Sequence, residues 1–493
     1  MKIKLNNEKY RLEIYETLSI FMATEDIEIT FDDTDKGIVV DTKGDISVSY
    51  IEDGKIKYSL VKRDEEIKLD KYFTYKMAVK YTIIEFFKKF FHKEAPWGVL
   101  TGIRPVKVVR NLMEEKSEIE TMEYLEKSLL INEENARLLM DVSKIQEDII
   151  SHIKRNSYSV YVNIPFCTGR CSYCSYSTLI LEKNGDKVKP YIEALIKEMK
   201  SLKKSFSDNP STIYIGGGTP TSLKAEDLSK ILNEMGKIFD LESLEEFTVE
   251  AGREDSLTKE KLKILKDNHV TRLSLNPQSF KEETLEKIGR KQDNNNLVKM
   301  YYLAREMDFS CINMDLIIGL PDENLNDFNN TLGVIKKLNP DNLTVHTLAI
   351  KKGSKIMQEK SMKKDYSEAE KMMRLALEFS KEEGYLPYYL YRQKRILGNL
   401  ENIGFAKINK ICRYNVYMME EVQNVLGVGM GSSSKFLKEN GLIENHRNYL
   451  NMRDYLNKLD EIIVEKEKLI EKGSRSKKDN KISDWTSVWY FYE

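Results

Sequence analysis

Apolar and polar residues alternate in short stretches through the first 70 residues of the chain, and a different rhythm takes over from Tyr158. The stretches Lys2–Leu5, Asp26–Phe31, Gly37–Asp41, Ile46–Ile51 and Lys55–Lys62 read as strands divided by Asp-Gly and Lys-Gly turn signals. A helical period then predicts a long helix over Lys71–Phe91, with shorter ones over Pro105–Glu115, Thr121–Ser128 and Glu133–Arg155. The segment PWGVLTGIRP, Pro96 to Pro105, holds too many helix breakers and predicts an ordered loop. Together these make an N-terminal α+β domain, residues 1–155.

After Tyr158, apolar runs alternate with amphipathic stretches. The runs Ser159–Pro165, Thr212–Gly216, Glu246–Glu250, Arg272–Leu275, Cys311–Gly319 and Asn342–Ala349 read as strands. Helices are expected over Lys187–Lys204, Ala225–Phe239, Lys259–Asn268, Asn294–Met307 and Asn324–Leu338. Strand–helix units in succession imply a parallel sheet, and six of them fall short of the eight that close a full barrel. The expected fold class is therefore α/β, an open partial (β/α)6 barrel over residues 156–350 whose wide mouth admits a large substrate. Residues 351–472 are expected to be mostly helical, interrupted by Gly427-Val-Gly-Met-Gly431, and 473–493 to form a flexible, solvated tail. No repeat at solenoid periods is present.

Composition narrows the class. Of 493 residues 41% are hydrophobic and 32% charged, which suits a folded globular chain and argues against extensive disorder. A net charge of −1 gives no global pull toward nucleic acid or an anionic membrane, so neither is expected as a partner. No stretch reaches the roughly 20 apolar residues of a spanning helix, and the first residues lack an apolar h-region. A cytoplasmic location is expected. Five cysteines are too few and too unevenly placed for a disulfide framework.

Three of those cysteines carry the chemistry. In Tyr161-Val-Asn-Ile-Pro-Phe-Cys167-Thr-Gly-Arg-Cys171-Ser-Tyr-Cys174, a C-x3-C-x2-C spacing folds a short loop around three corners of an iron–sulfur cubane. The fourth iron then has no ligand within the motif and can take a substrate. S-adenosylmethionine (SAM) can chelate it through its amino and carboxylate groups, after which one electron cleaves a sulfur–carbon bond. A zinc site would need a fourth ligand, and no second Cys or His pair with suitable spacing exists. Gly216-Gly-Gly-Thr-Pro-Thr221 follows the second strand of this sheet, where glycines let backbone amides approach a carboxylate or amino acid moiety.

In order along the chain, YVNIPFCTGRCSYC, GGGTPT, VEAGRED, NPQSF and MDLIIGLP resemble the oxygen-independent coproporphyrinogen III oxidase (dehydrogenase) family of radical SAM enzymes, from about Tyr158 to Ser434. The N-terminal domain, with its LTGIRP loop, resembles the branch of that family that carries a long extension. The resemblance implies a [4Fe-4S] cluster on Cys167, Cys171 and Cys174. It also implies SAM contacts at Tyr161, Tyr173, Gly217, Gly218, Thr219, Glu250, Gln278, Arg290, Asp315 and Ala349, shared between two SAM molecules. Glu250 and Asp315 suit ribose hydroxyls or an ammonium group, and Arg290 suits a carboxylate. Ser175-Tyr176 departs from relatives that have one more Cys two residues after the third.

Further on, Tyr391-Arg-Gln-Lys, Gly398–Ala406, Cys412-Arg-Tyr-Asn415 and Leu426–Gly431 resemble the substrate-side region of the same family. The implied reaction is oxidative decarboxylation of two propionates of coproporphyrinogen III to vinyls, giving protoporphyrinogen IX in haem biosynthesis, with a reducing partner such as flavodoxin or ferredoxin. A tetrapyrrole with four carboxylates wants basic anchors over an apolar floor. Arg392, Lys394 and Arg395 are the candidate anchors, with Tyr388, Tyr389 and Tyr391 as the floor. A tyrosine-rich core beside a solvated basic edge would read the same way. Cys311 and Cys412 read as buried residues, and His346 is the one histidine to test, with structural packing the favoured reading. A relative of the family keeps the cluster but serves as a haem chaperone, and a radical SAM enzyme for another substrate is a third possibility.

Overall fold

A computed structural model describes residues 1–102, 104–154, 156–206, 208–349, 366–393, 396–438 and 441–475. The chain forms two compact units, Met1–Lys144 and Ile145–Glu493.

The first unit is built on a five-stranded sheet of β1 (Lys2–Leu5), β2 (Glu28–Thr30), β3 (Gly37–Asp41), β4 (Ile46–Glu52) and β5 (Lys55–Lys62) in the order β2-β1-β3-β4-β5. β1 runs parallel to both neighbours, and β3, β4 and β5 form an antiparallel meander. The helix Tyr75–Phe91 covers this sheet with rings; Phe90 lies 5.1 Å from Tyr58 and 5.2 Å from Tyr50. Helices Pro105–Met113, Glu118–Glu123 and Glu133–Ile150 lie close to the predicted spans, and a π-helical turn at Tyr124–Ser128 extends the middle one. The helix Arg11–Leu18 was not anticipated. Only Ile14 and Leu18, four residues apart, bury large apolar side chains there, while Leu12 is exposed, so no continuous apolar stripe marks it in the sequence.

The second unit contains an eleven-stranded sheet. Its centre is six parallel strands in sequence order: β6 (Tyr158–Ile164), β9 (Thr212–Gly217), β10 (Glu246–Glu250), β11 (Arg272–Ser274), β12 (Cys311–Ile318) and β13 (Asn342–Thr347). Two short parallel strands, β7 (Phe166–Cys167) and β8 (Leu179–Ile180), bracket the cysteine loop. Helices Val188–Lys203, Ala225–Ile238, Lys259–Asp267, Asn294–Glu306 and Leu325–Leu338 connect the central strands, as predicted. Period-two alternation sorts the side chains. Val160, Val162, Ile213, Ile215, Phe247, Val249, Leu273, Ile312, Met314, Leu343 and Val345 are fully buried. Their neighbours of opposite parity are Tyr161, Tyr214, Thr248, Glu250, Ser274, Asn313, Asp315, Thr344 and His346, so one face of the sheet is apolar and the other carries the chemistry.

Beyond Ile350 helices hold more residues than strands among the described residues, yet the mostly helical expectation misses five strands. β15 (Asn402–Ala406) pairs antiparallel with β13, and β14 (Leu386–Tyr391) with β15. On the opposite edge β16 (Asn424–Val428) runs parallel to β6 and continues into the antiparallel β17 (Ser433–Leu437) and β18 (Ile443–Arg447). These strands are only five or six residues long, and two of them contain glycine, which hides their period. The expected tail lies almost wholly outside the described residues.

One buried ion pair ties this C-terminal part to the barrel. Glu198, on the helix Val188–Lys203, and Lys466, on the helix Leu459–Arg475, are both 0% exposed and 2.7 Å apart. Glu198 also accepts from Gly429 N–H (2.8 Å), Asn448 (2.9 Å) and the Tyr455 hydroxyl (2.7 Å), and Lys466 donates to Gly427 O (2.6 Å). Burial opposes the Glu198 charge, but Lys466 and these donors outweigh it and hold its carboxyl below the usual range. Glu198 therefore contributes stability above the unfolded carboxylate pKa, lost as pH falls through the folded value. Lys466→Met should cost about 3–5 kcal/mol by stranding that carboxylate; a lower urea midpoint at an unchanged denaturant slope checks it.

Candidate active site at the carboxyl ends of the barrel strands

The cysteine loop leaves the end of β6. Cys167 and Cys171 are buried and Cys174 is partly exposed. Gly218 N–H donates to Ile164 O and Thr219 N–H to Phe166 O, each at 2.8 Å, so the β6–β9 pairing runs on past both strands. Glycine is required there, because a Cβ at Gly217 would overlap the Asn163 carboxamide oxygen and one at Gly218 the Phe166 carbonyl. Thr219 Oγ1 consequently stands 3.3 Å from Cys167 Sγ. Gly217 N–H bonds the Glu250 carboxylate. Gly218 and Thr219 direct their amides to Ile164 and Phe166, and the glycines serve close approach of backbone to backbone.

Five residues past Cys167, Ser172 N–H donates to Ile288 O (2.8 Å), fixing the loop against the segment after the helix Glu282–Lys287. Tyr173 packs against Leu285, Ile288, Ile317, Leu320 and Leu348. Burial pushes the Cys174 thiol up, and the neighbouring Cys171 and Cys167 charges add to this, so the three sulfurs share one locality. Among the described residues no three His, Cys, Asp or Glu side chains converge on a single-ion site. A cubane differs from such a site in spreading its thiolates over separate irons. Tyr176 is 65% exposed, yet the nearby atoms that raise its phenol pKa include Glu250, Cys174 and Asp315, so it stands beside the site in contact with solvent.

The remaining candidates gather along the polar face. Tyr161, Tyr214 and Tyr414 stack with ring separations of 6.1 Å and 4.7 Å, and the Tyr214 hydroxyl donates to Glu250 at 2.7 Å. Burial lifts the Glu250 carboxyl to about 7, with the Asp315 charge adding to the rise and the Tyr214 and Gly217 hydrogen bonds opposing it. For Asp315 burial acts the same way, but His346, Asn313 and Thr344 outweigh it and keep the carboxyl below its usual value. Asn313 bridges Asp315 (2.8 Å) and Ser274 (2.7 Å) across two strands. His346 Nε2 is 3.8 Å from Asp315, and its Nδ1 is 3.2 Å from the Tyr391 hydroxyl. Gln278 has φ +64°; its amide donates to Asp315 O and its carbonyl accepts from Ile317 N–H, so it sits beside Asp315 through backbone pairing. Arg290 is buried and donates to Gln292 (2.9 Å), Gly252 O (2.7 Å) and Asn276 O, joining the loops after β10 and β11. Ala349 pairs with Ile396 at the edge of this group.

Several substrate-side expectations are corrected. Arg392 is buried and donates to Asn399 O (2.8 Å), so it is a structural arginine and not an exposed anchor. Tyr388 is fully buried with its hydroxyl 3.3 Å from Asn342, at the opposite strand ends from the cysteines; Tyr391 alone of the three reaches His346. Lys394 and Arg395 lie outside the described residues. Cys412–Asn415 closes the floor: Glu246, the first residue of β10, accepts from Arg413 N–H (2.8 Å) and the Cys412 thiol (3.2 Å), and Arg272 donates to Lys410 O (2.9 Å). Cys311 and Cys412 are buried, as expected. Asn163, Tyr214, Arg253 and Tyr414 were not singled out from sequence, although strand parity with Tyr161 marks Asn163 and Tyr214.

A three-cysteine loop at the carboxyl end of the first strand of a partial barrel defines a radical SAM protein, and residues 161–335 match the Radical SAM superfamily. Oxygen-independent coproporphyrinogen-III oxidase-like protein HemZ of Bacillus subtilis (strain 168) is 39% identical over 362 residues, 71% of this chain and 72% of the relative. The heme chaperone HemW of the same organism is 37% identical over 194 residues, and the match spans 39% of this chain and only half of the chaperone's length. The structure of the Escherichia coli coproporphyrinogen III oxidase HemN shares the fold, with a TM-score of 0.52 and 23% identity over 65% of this chain and 72% of that one. The chain belongs to the radical SAM family that contains the oxygen-independent coproporphyrinogen III oxidases, their HemZ-like relatives and the haem chaperones. That family uses a [4Fe-4S] cluster and SAM. The thiol locality just described suits such a group, offering three sulfurs on one loop.

Because the folded Glu250 pKa of about 7 exceeds the ordinary carboxyl value of 4.5, its stability contribution is full below pH 4.5 and is lost as pH rises through 7. Unfolding midpoints of the ligand-free protein should fall across that window, and Glu250→Gln should flatten the fall.

Proposed function

We propose that this chain catalyses the oxidative decarboxylation of two coproporphyrinogen III propionates, giving protoporphyrinogen IX in haem biosynthesis. The observation that carries the reading is the HemZ-like match over 362 residues, longer than the 194 shared with the chaperone of the same organism and the 286 shared with another chaperone. It takes in more than the barrel. Cys167, Cys171 and Cys174 would hold the cluster. When bound, the cluster and SAM supply an organic radical that abstracts hydrogen. The polar face would receive SAM, with Tyr161 and its stacked partners among the contacts and Glu250 and Asp315 able to accept from hydroxyl or ammonium groups. Tyr173, Gly217, Gly218, Thr219, Gln278, Arg290 and Ala349 complete the proposed SAM contacts, and the set is large enough for the two molecules the resemblance implies. Arg290 would meet a carboxylate as an already immobilised guanidinium. His346 and Tyr391 form a hydrogen-bonding wall for the tetrapyrrole. A reducing protein such as flavodoxin or ferredoxin would deliver electrons, with the reaction in the cytoplasm. Among the described residues no helix is long and apolar enough to cross a membrane.

The chaperone relatives support a second reading, haem binding without turnover. Anaerobic incubation of the reconstituted protein with reductant, SAM and coproporphyrinogen III separates the two. Protoporphyrinogen IX with matching 5′-deoxyadenosine is expected. Tight haem binding with no porphyrin product would transfer the protein to the chaperone class, and SAM cleavage uncoupled from porphyrin would point to another substrate.

A further inference from the structure

Arg253 lies in the loop after β10 and is 6% exposed. Its Nη1 is 3.6 Å from Cys171 Sγ, and the charges acting on it include those of Cys171 and Cys167. Asp255 holds the other side of the guanidinium through a two-point contact, Nε at 3.0 Å and Nη2 at 2.6 Å. The same carboxylate accepts from Thr168 Oγ1 at 3.1 Å, one residue past Cys167. The cysteine loop thus wraps a buried cation fixed in place by a carboxylate that the loop itself helps to hold. Asp255 is the more exposed partner, at 32% against 7% for the arginine side chain, so water screens its charge more than it screens the guanidinium.

We propose that Arg253 tunes the iron–sulfur cluster, donating a hydrogen bond to the Cys171 thiolate and raising the reduction potential. Gaining one electron makes the cluster and its thiolates one charge more negative, and a fixed cation with an N–H aimed at a ligand sulfur stabilises that form more than the oxidised one. An external one-electron reductant supplies the electron; Arg253 itself gains and loses nothing. The planar fork suits the task, since two N–H groups anchor on Asp255 while a third faces the sulfur. The inference rests on Cys171 being a cluster ligand and is independent of the substrate.

The test uses full-length protein reconstituted anaerobically with iron and sulfide, titrated with a low-potential chemical reductant in the absence of SAM. Arg253→Gln should retain iron and sulfide yet show about tenfold less reduced cluster, relative to oxidised, at the wild-type midpoint, a shift of about 59 mV to more negative potential for a one-electron couple. Arg253→Lys, which keeps the charge and loses the fork, should shift in the same direction by less. A loaded Arg253→Gln cluster with the wild-type midpoint overturns the proposal. Should that variant fail to load, an Arg253→Lys midpoint equal to wild type overturns it, as does loss of iron and sulfide from both variants, which would make the residue purely structural. Cys171→Ala checks the foundation separately: if it keeps a full cluster with the wild-type midpoint, the ligand assignment fails, whatever the arginine variants do.

Discussion

The close approach of β9 to the end of β6 is the constraint from which the site follows. A parallel ladder normally ends where its strands end, but here two further amide-to-carbonyl bonds carry it on to Phe166. Side chains at Gly217 and Gly218 would force the strands apart, so the absence of two Cβ atoms sets the path of the chain into Cys167. Once Cys167 is fixed beside Thr219, the next seven residues have little choice. Ser172 is pinned to Ile288, and Arg253 fills the inside of the loop. The geometry of three thiols is thus written largely in backbone hydrogen bonds from other strands, which cost no side-chain entropy to aim.

An open barrel has two edges and a floor to protect, and the C-terminal chain supplies all three. β15 and β14 cover the β13 edge and bring Tyr391 to His346. β16 covers the β6 edge, with Gly427–Gly431 reaching Asn163, whose side chain donates to Met430 O at 2.5 Å. The Tyr191 hydroxyl bonds Asn163 O beside it, so the residue between Tyr161 and the cysteine loop is clamped from two elements. The Cys412–Asn415 corner seals the amino ends of the strands, with Glu246 and Arg272, 3.5 Å apart, satisfying its backbone. Pairing in this way moves the sheet's edges out to β14 and β18, away from the barrel strands. It also leaves the carboxyl ends as the place where groups from many strands meet, as parallel α/β sheets generally arrange.

Most strand and helix spans of the barrel were legible from sequence because their alternation is clean: an apolar residue against the helices, then a polar or aromatic one inward. The cysteine motif was legible for a different reason, its spacing. What escaped detection shares a physical cause. β14 to β18 are short and rich in glycine, tyrosine and polar residues, so burial against neighbours, not an internal period, makes them strands. Tertiary pairing also decided the roles of Arg290 and Arg392. From sequence Arg290 read as a SAM contact and Arg392 as a candidate substrate anchor; both are buried and donate to backbone carbonyls from segments distant in the sequence or on the far side of a turn. The motif around Cys412 resembles a family region in its order along the chain, but order carries no information about which end of the barrel it closes.

The two inward carboxyls show how one chamber can treat similar groups differently. Asp315 is ringed by Asn313, Thr344 and His346, so its charge is distributed over donors from neighbouring strands and stays in place. Glu250 has the Tyr214 hydroxyl and the Gly217 amide, too few to offset burial and the repulsion of Asp315. The environments push the two pKa values apart, leaving one fixed anion and one group that exchanges a proton near neutrality. A cationic ligand entering between them would add the missing positive charge, lower the Glu250 pKa and release its proton to solvent. With Glu250 protonated the pair avoids the full repulsion of two adjacent anions, and the binding of positive charge restores the second anion only when something is present for it to hold.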